Sequence, residues 1–126
     1  TKRRLSPSRF MSNSKALVAM LRSAEESGIS ALVYIPPIRH DAELPYDAVE
    51  YQMAIDTVRE LAENYGACFQ NFEYVVPDQY WGLKESTNVS GDAEFDFMHF
   101  RADGHKSLAD SVRSALSECG ITGAKN

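Results

Sequence analysis

The feature that most restricts the fold is a near-continuous apolar run from Ile29 to Ile35, which ends at Pro36-Pro37. Such runs are typical of strands that are buried on both faces of a sheet, whereas half-exposed strands alternate apolar and polar residues. The prolines end the strand because proline has no N–H to donate to the sheet ladder. The run therefore predicts a strand of a parallel sheet that helices cover.

Helical patterns lie on both sides of this strand. Residues 12–27, 47–65 and 104–118 carry apolar side chains at helical spacing, and a glycine follows near the end of each segment. A second short strand is predicted over residues 67–72. The predicted N-caps, in chain order, are Ser12 or Ser14, Asp47 (with Glu50 at capping-box spacing) and Asp103.

The alternation of helices with strands predicts an α/β fold with a parallel sheet. Residues 73–102 show little periodicity and are predicted to form a long functional loop. Two strands are too few for three helices to cover, so we expect part of a larger doubly wound domain. Ligands bind at the carboxyl ends of the strands in such sheets, which places residues 36–40 and 72–74 at the expected site.

Charge and composition exclude several classes of protein. The net charge is −5 and 25% of residues are charged, which disfavours a nucleic-acid partner and wholesale disorder. No stretch approaches 18 consecutive apolar residues, so no membrane-spanning helix is predicted. Residues 1–11 contain four basic residues and no acid, and are predicted to be a leader or linker. Cys68 and Cys119 lack metal-ligand spacing and are predicted to be small core residues.

The sharpest candidate for chemistry is the pair Asp96 and His99. An Asp and a His three residues apart, in a turn before a helix, can lie on the same side of the chain. The carboxylate can then hold the imidazole through its Nδ1 hydrogen, which leaves Nε2 to accept a proton as a general base. Hydrolytic catalysis uses both residue types: a base that titrates near neutral pH and an anion that orients it.

This part of the chain resembles the last conserved block of the SGNH (GDSL-like) hydrolase superfamily. The order of elements upstream also resembles the closing elements of that three-layer, flavodoxin-like fold, so residues 12–120 would be its C-terminal portion and 121–126 a tail. The matching residues are Asp96-x-x-His99-Phe100, Gly104-His105 and Leu108-Ala109.

The resemblance implies a serine esterase or O-acyltransferase that acts on O-acyl esters, such as acetyl esters of a carbohydrate or lipid. His99 would be the general base and Asp96 its orienting partner, with an acyl-enzyme intermediate and no cofactor. The family's Gly-Asp-Ser nucleophile block is absent before Tyr34, and Gly91-Asp92-Ala93 has Ala at the nucleophile position. The serine is therefore expected outside this chain, in a preceding segment or a second chain. The chain alone is expected to have little activity, and its open strand edge favours pairing with that segment or with another copy.

Four further residues are candidates for substrate contact. Arg39 and His40 follow the first strand and either bind an anionic or sugar substrate or form an exposed loop pair. Tyr74 and Trp81 either form a stacking wall for a sugar or acyl group or cover part of the core.

Two other functions compete with the hydrolase hypothesis. The chain can be a non-catalytic α/β interaction module or degenerate homologue in which His99 only packs. Alternatively it can be a metal-dependent hydrolase with ligands from Asp96, His99, Asp103 and His105, although their spacing matches no strong metal motif.

Overall fold

The computed structural model describes residues 2–84 and 94–121 of the chain. Gly91-Asp92-Ala93 and most of the predicted tail lie outside these residues. No helix in the described ranges is long and apolar enough to cross a bilayer. The elements in chain order are α1 (Pro7–Glu26), β1 (Leu32–Ile35), α2 (Ala48–Asn64), β2 (Cys68–Asn71), a 3₁₀ turn (Asp78–Tyr80), β3 (Trp81–Lys84), β4 (Glu94–Phe100) and α3 (Ala102–Glu118).

Strands β1 and β2 form a parallel pair, with Leu32 opposite Cys68 and Ile35 opposite Asn71. Side chains of a strand alternate between the two faces of a sheet. On one face the ring of Phe69 lies beneath the Arg59 guanidinium of α2; on the other, β2 adjoins α3. The α/β class and the parallel pairing predicted from the apolar run are thus confirmed.

The core lies between these elements. Burial of its apolar side chains is the main source of stability. Its buried apolar members are Leu21, Ile35, Ile38, Ile55, Ala62, Phe72, Val76, Trp81 and Ala115.

Local signals at the helix ends were largely informative. The Asp47 carboxylate accepts a hydrogen bond from the Glu50 N–H at 3.0 Å, so the predicted cap of α2 is confirmed. Gly120 has φ +71°, and the Ile121 N–H donates to the Leu116 carbonyl at 2.8 Å. This geometry confirms the predicted glycine stop after α3.

Two predicted helix starts were wrong. Helix α1 begins at Pro7, with Ser6 at the N-cap position, so residues 7–11 of the predicted leader are helical. Proline suits the first turn of a helix because the N–H that it lacks would have no helical partner there. Helix α3 begins at Ala102 with Arg101 at the N-cap position, and Asp103 lies in the first turn rather than at the cap.

The interpretation of residues 73–102 as one irregular loop was also wrong. The segment contains the 3₁₀ turn and the antiparallel strands β3 and β4. Trp81 is only 3% exposed and packs edge-on against Phe100, with ring centroids 5.3 Å apart. Alternate aromatic residues at Phe95 and Phe97 are a strand signal that the sequence interpretation missed.

Cys68 and Cys119 form a disulfide with a Cα–Cα distance of 6.0 Å, which corrects their assignment as free core residues. Cys68 begins β2, and Cys119 follows the last residue of α3. The bond therefore ties the amino end of β2 to the carboxyl end of α3. No local sequence pattern predicts this bond, because the two cysteines are 51 residues apart.

Candidate functional site

An irregularity in the β3–β4 hairpin creates the site. Trp81 pairs with Phe100 and Leu83 pairs with Phe95, so two residue steps on β3 face five on β4. Residues 96–99 of β4 thus face the single residue Gly82 of β3, three more than a regular ladder would pair. They bulge away from the ladder, and their backbone groups need partners other than β3.

The Asp96 carboxylate supplies partners for part of this bulge. Its Oδ1 accepts hydrogen bonds from the N–H of Met98 at 3.1 Å and from the N–H of His99 at 2.9 Å. Aspartate is well suited to this role because its short side chain reaches backbone donors two and three residues ahead. Asp96 therefore shapes the turn that presents the His99 side chain.

The same carboxylate contacts the imidazole. His99 Nδ1 lies 3.1 Å from Oδ1 and 3.2 Å from Oδ2 of Asp96. An ionised carboxylate can only accept hydrogen bonds, so Nδ1 is the protonated nitrogen of the neutral ring and Nε2 keeps its lone pair. The Asp96 side chain is 15% exposed and that of His99 is 86% exposed. The pair is thus a partly buried carboxylate that holds an exposed imidazole.

Burial and hydrogen bonding act in opposite directions on Asp96. Its partial burial raises the pKa. The hydrogen bonds from the Met98 and His99 N–H groups and from the His99 ring lower the pKa by a larger amount in total. The net result is a pKa below the ordinary value for aspartate. The carboxylate is therefore ionised at neutral pH, as its orienting role requires.

The pair lies near the carboxyl ends of the parallel strands. Beyond β1, the Ile38 N–H donates to the Glu73 carbonyl, and the Arg39 N–H donates to the Phe97 carbonyl, each at 3.1 Å. The second bond attaches the bulge to the segment that follows β1. Asp96 and His99 thus lie at the edge where doubly wound sheets bind ligands.

An apolar cleft of about 460 Å³ begins beside this bulge, where Met98 forms part of its wall. The opposite wall is the inner face of α2, and the N-terminal residues 3–5 lie across one side. The volume falls in the range of small-molecule sites. The apolar residues that line it are Leu5, Ile35, Pro36, Ile38, Tyr46, Tyr51, Ala54, Ile55, Val58 and Met98.

Arg39 and His40 have different surroundings although they are adjacent in sequence. Arg39 is 7% exposed, and its guanidinium is held by Asp41 and by the Gly82 carbonyl. His40 is exposed, and its Nε2 lies 2.9 Å from an Asp78 carboxylate oxygen. Both side chains have protein partners here, and their contact with a substrate remains a prediction.

Tyr74 and Trp81 are likewise separated by burial. Tyr74 is 67% exposed and stands edge-on to the His40 ring, 5.2 Å between centroids. Trp81 is buried, and its indole N–H donates to the Val76 carbonyl at 3.4 Å. Of these two residues, Tyr74 is the one with an exposed ring, while Trp81 belongs to the core. A substrate contact by either residue is still a prediction.

Within residues 2–84 and 94–121, no group of three or more His, Cys, Asp and Glu side chains is placed to hold a metal ion. His105, one of the four ligands considered for a metal, stacks on Phe100 with ring centroids 4.5 Å apart. The four predicted ligands thus do not form one group in the described part of the chain, and the metal-dependent alternative stays a prediction.

No family model, curated protein or solved structure matches this chain. The site must therefore be interpreted from its own geometry.

Sequence reasoning identified the Asp96–His99 pair but missed the residues that support it. Gly82 and Phe95 flank the bulge and Met98 lies within it, and none of the three was singled out. The aromatic alternation in β4 was a signal for the strand itself. The position of the bulge depends on pairing with β3, for which no local pattern exists.

Proposed function

We propose that this chain supplies the Asp–His half of an SGNH-like serine esterase or O-acyltransferase. The observation that carries the proposal is the contact of His99 Nδ1 with the Asp96 carboxylate at 3.1 Å, with Nε2 facing outward. This is the arrangement that a general base needs. Its position at the carboxyl edge of parallel strands, directly before α3, is consistent with the resemblance in sequence.

In the proposed reaction, His99 Nε2 accepts the proton of a serine hydroxyl while the serine oxygen attacks the carbonyl carbon of an O-acyl ester. The imidazolium that forms is stabilised by the ionised Asp96. His99 then returns the proton to the leaving alkoxide, which leaves an acyl-enzyme. Water or an acceptor hydroxyl completes the cycle by the same proton transfers in reverse.

We infer that the nucleophile comes from outside this chain. Among the described residues, His99 Nε2 has no hydrogen-bond partner, and no Gly-Asp-Ser block precedes β1. The partner would be a preceding segment of the same domain or a second chain that extends the β1–β2 pair into a flavodoxin-like sheet. The substrate would be an O-acylated small molecule or glycan.

A serine-directed fluorophosphonate probe tests the proposal. The chain of residues 1–126 should remain unlabelled, whereas the complete gene product should be labelled at one serine. In that complete protein, His99→Gln should slow labelling by about 10⁶-fold and Asp96→Asn by about 10⁴-fold, as in triad enzymes. His105→Gln is the matched control because it makes the same change six residues away, and it should label at the wild-type rate.

Three results would contradict all or part of the proposal. A complete gene product that resists the probe would favour a non-catalytic interaction module. Labelling that is unaffected by His99→Gln would show that another base activates the serine. Labelling of residues 1–126 alone would place the nucleophile within this chain and overturn that part of the proposal.

A further inference from the structure

Arg39 makes an unusual set of contacts for a residue in a loop beyond a strand. Its backbone N–H donates to the Phe97 carbonyl at 3.1 Å. Its Nε and Nη1 donate to Asp41 Oδ1 and to the Gly82 carbonyl, each at 2.6 Å. Its guanidinium carbon lies 4.3 Å from the centroid of the Phe95 ring. The side chain is therefore enclosed by protein.

These contacts converge on the bulge. Phe95 and Phe97 are the residues on either side of Asp96, and Gly82 lies on β3 between the two pairs that bracket the bulge. Ladder hydrogen bonds fix a regular strand, but they are interrupted at a bulge. Arg39 replaces them with one backbone bond, one side-chain bond to β3 and one stacking contact.

We propose that Arg39 is a positioning residue that holds the β4 bulge in the geometry that brings Asp96 and His99 together. The effect of Arg39 on catalysis rests on the proposed hydrolase function. Its effect on the geometry of the Asp96–His99 pair is independent of that function. Arg39 acts through Phe95, Phe97 and Gly82, and among the described residues it makes no hydrogen bond or salt bridge of its own with Asp96 or His99.

The chemistry of arginine suits this role better than that of lysine. A planar guanidinium can stack on a ring while its N–H groups donate in the plane to separate acceptors. Asp41 compensates the buried charge, since an isolated cation in the interior would be strongly destabilising. Lysine has a single ammonium group and cannot reproduce the stacking and both hydrogen bonds together.

The alternative is that Arg39 binds an anionic substrate group directly, as the sequence suggested. The two roles differ in what they require of the free protein. A positioning residue affects the Asp96–His99 pair without any substrate, whereas a substrate contact affects the pair only weakly. The geometry of the free chain is therefore the decisive measurement.

The test uses residues 1–126 with ¹⁵N-labelled histidine. Long-range ¹H–¹⁵N spectra report which ring nitrogen of His99 carries the proton, with resonances assigned by substitution of each histidine. Wild type should show mainly the Nδ1–H form. Arg39→Met should shift His99 toward a mixture with the Nε2–H form, and Arg39→Lys should shift it partly.

Arg59→Met is the matched control. Arg59 also lies over an aromatic ring, that of Phe69 at 5.1 Å, and pairs with Asp56. It belongs to α2, away from the bulge, so its removal should leave the His99 tautomer unchanged. Near-ultraviolet circular dichroism checks that each variant is folded.

If Arg39→Met does not fold, Phe95→Leu removes the stacking contact with Arg39, together with the looser edge-on contact of the Phe95 ring with Phe97 at 6.5 Å, and keeps both side-chain hydrogen bonds of Arg39. Phe95 is 49% exposed, so this change should be tolerated. It should shift the tautomer in the same direction by a smaller amount. A folded Arg39→Met, or failing that Phe95→Leu, with the wild-type tautomer would overturn the proposal.

Kinetics of the complete enzyme separate the two roles of Arg39. Loss of positioning should lower kcat by about 10²-fold with little change in KM. A raised KM at unchanged kcat would instead assign Arg39 to substrate binding and overturn the positioning role. If the fluorophosphonate test fails while the tautomer shift is observed, the hydrolase proposal fails and the structural role of Arg39 stands.

Discussion

At the scale of single residues, Asp96 combines two tasks in one carboxylate. Its Oδ1 satisfies backbone N–H groups that the bulge removes from the ladder, and both oxygens approach His99 Nδ1. Shape and chemistry are therefore linked, because the residue that forms the turn also orients the base within it.

This link predicts how stability depends on pH. The pKa of Asp96 is raised by burial but lowered more by its hydrogen bonds, so it lies below the value in the unfolded chain. A group with a depressed folded pKa stabilises the native state fully above its unfolded pKa of about 3.9, and the contribution is lost as pH falls through the folded pKa. The difference in the free energy of unfolding between wild type and Asp96→Ala should therefore shrink as the pH is lowered from about 5 to about 2.

Urea unfolding at a series of pH values measures this difference directly. The carboxyl ¹³C signal of Asp96 should also titrate at lower pH than the same carbon in the urea-unfolded chain. A wild-type advantage that is independent of pH would contradict the predicted shift.

At the scale of elements, Gly104 determines how α3 begins. A Cβ at this position would lie 2.8 Å from both Cβ and Cδ2 of Phe100, the last residue of β4. Because one of these atoms is the Phe100 Cβ, which does not move when the ring rotates, a change of ring orientation cannot relieve the contact. The glycine therefore allows α3 to pack closely on the strand that carries the Asp–His pair.

Gly104→Ala should consequently destabilise the protein by about 1–3 kcal/mol, the usual range for overpacking. The sign is diagnostic, because Gly→Ala within an unobstructed helix stabilises by up to about 1 kcal/mol. Gly82→Ala is the control, since among the described residues its new Cβ would meet Arg101 Nε alone, at an ordinary contact distance of 3.7 Å. Urea unfolding measures both variants, and a Gly104→Ala variant that is as stable as wild type would refute the close packing.

At the scale of the whole molecule, the disulfide closes a large part of the chain. Cys68 and Cys119 are 51 residues apart, and the loop between them contains the hairpin, the bulge and all of α3. In the chain-entropy account, closing a loop of this length stabilises the folded state by about 4 kcal/mol. The bond thus supports the whole site-bearing half of the molecule.

Reduction should therefore lower the free energy of unfolding by about 4 kcal/mol at most, since native strain and residual structure reduce the effect. Guanidinium unfolding with and without reductant measures the change on protein refolded under oxidising conditions. A Cys68→Ala/Cys119→Ala double variant should not respond to reductant. Two thiols that titrate in the native, unreduced protein would contradict the bond.

The parallel sheet of the described residues has two strands, fewer than the proposed flavodoxin-like hydrolase fold requires. Among the described residues, β1 and β2 pair only with each other, and the apolar cleft lies beside β1 and α2. Exposed strand edges favour pairing with further chain. A flavodoxin-like sheet would need such strands, and the fluorophosphonate experiment on the complete gene product tests whether they bring the serine.

Local patterns were sufficient for much of the fold. Interactions within a few residues of chain determine the helical periodicity, the Asp47 cap and the glycine stop after α3. These features could therefore be predicted from the sequence. The apolar run before Pro36 likewise predicted β1 and its parallel pairing. The expected burial on both faces was wrong for the described chain, since only Ile35 of β1 is buried and Tyr34 is 37% exposed. The contact between Asp96 and His99 was also predictable, because two side chains three residues apart can meet across a local turn of the chain.

Other features depend on partners that are distant in sequence. The β4 bulge exists because β3 sets the register on both sides of it, and Arg39 contributes to the site because β1 ends beside that hairpin. The disulfide depends on the carboxyl end of α3 lying beside the start of β2. The sequence by itself determined the elements and the Asp–His pair, because their interactions are local. Only the tertiary structure decided what holds that pair in place, because packing between distant segments leaves no local pattern.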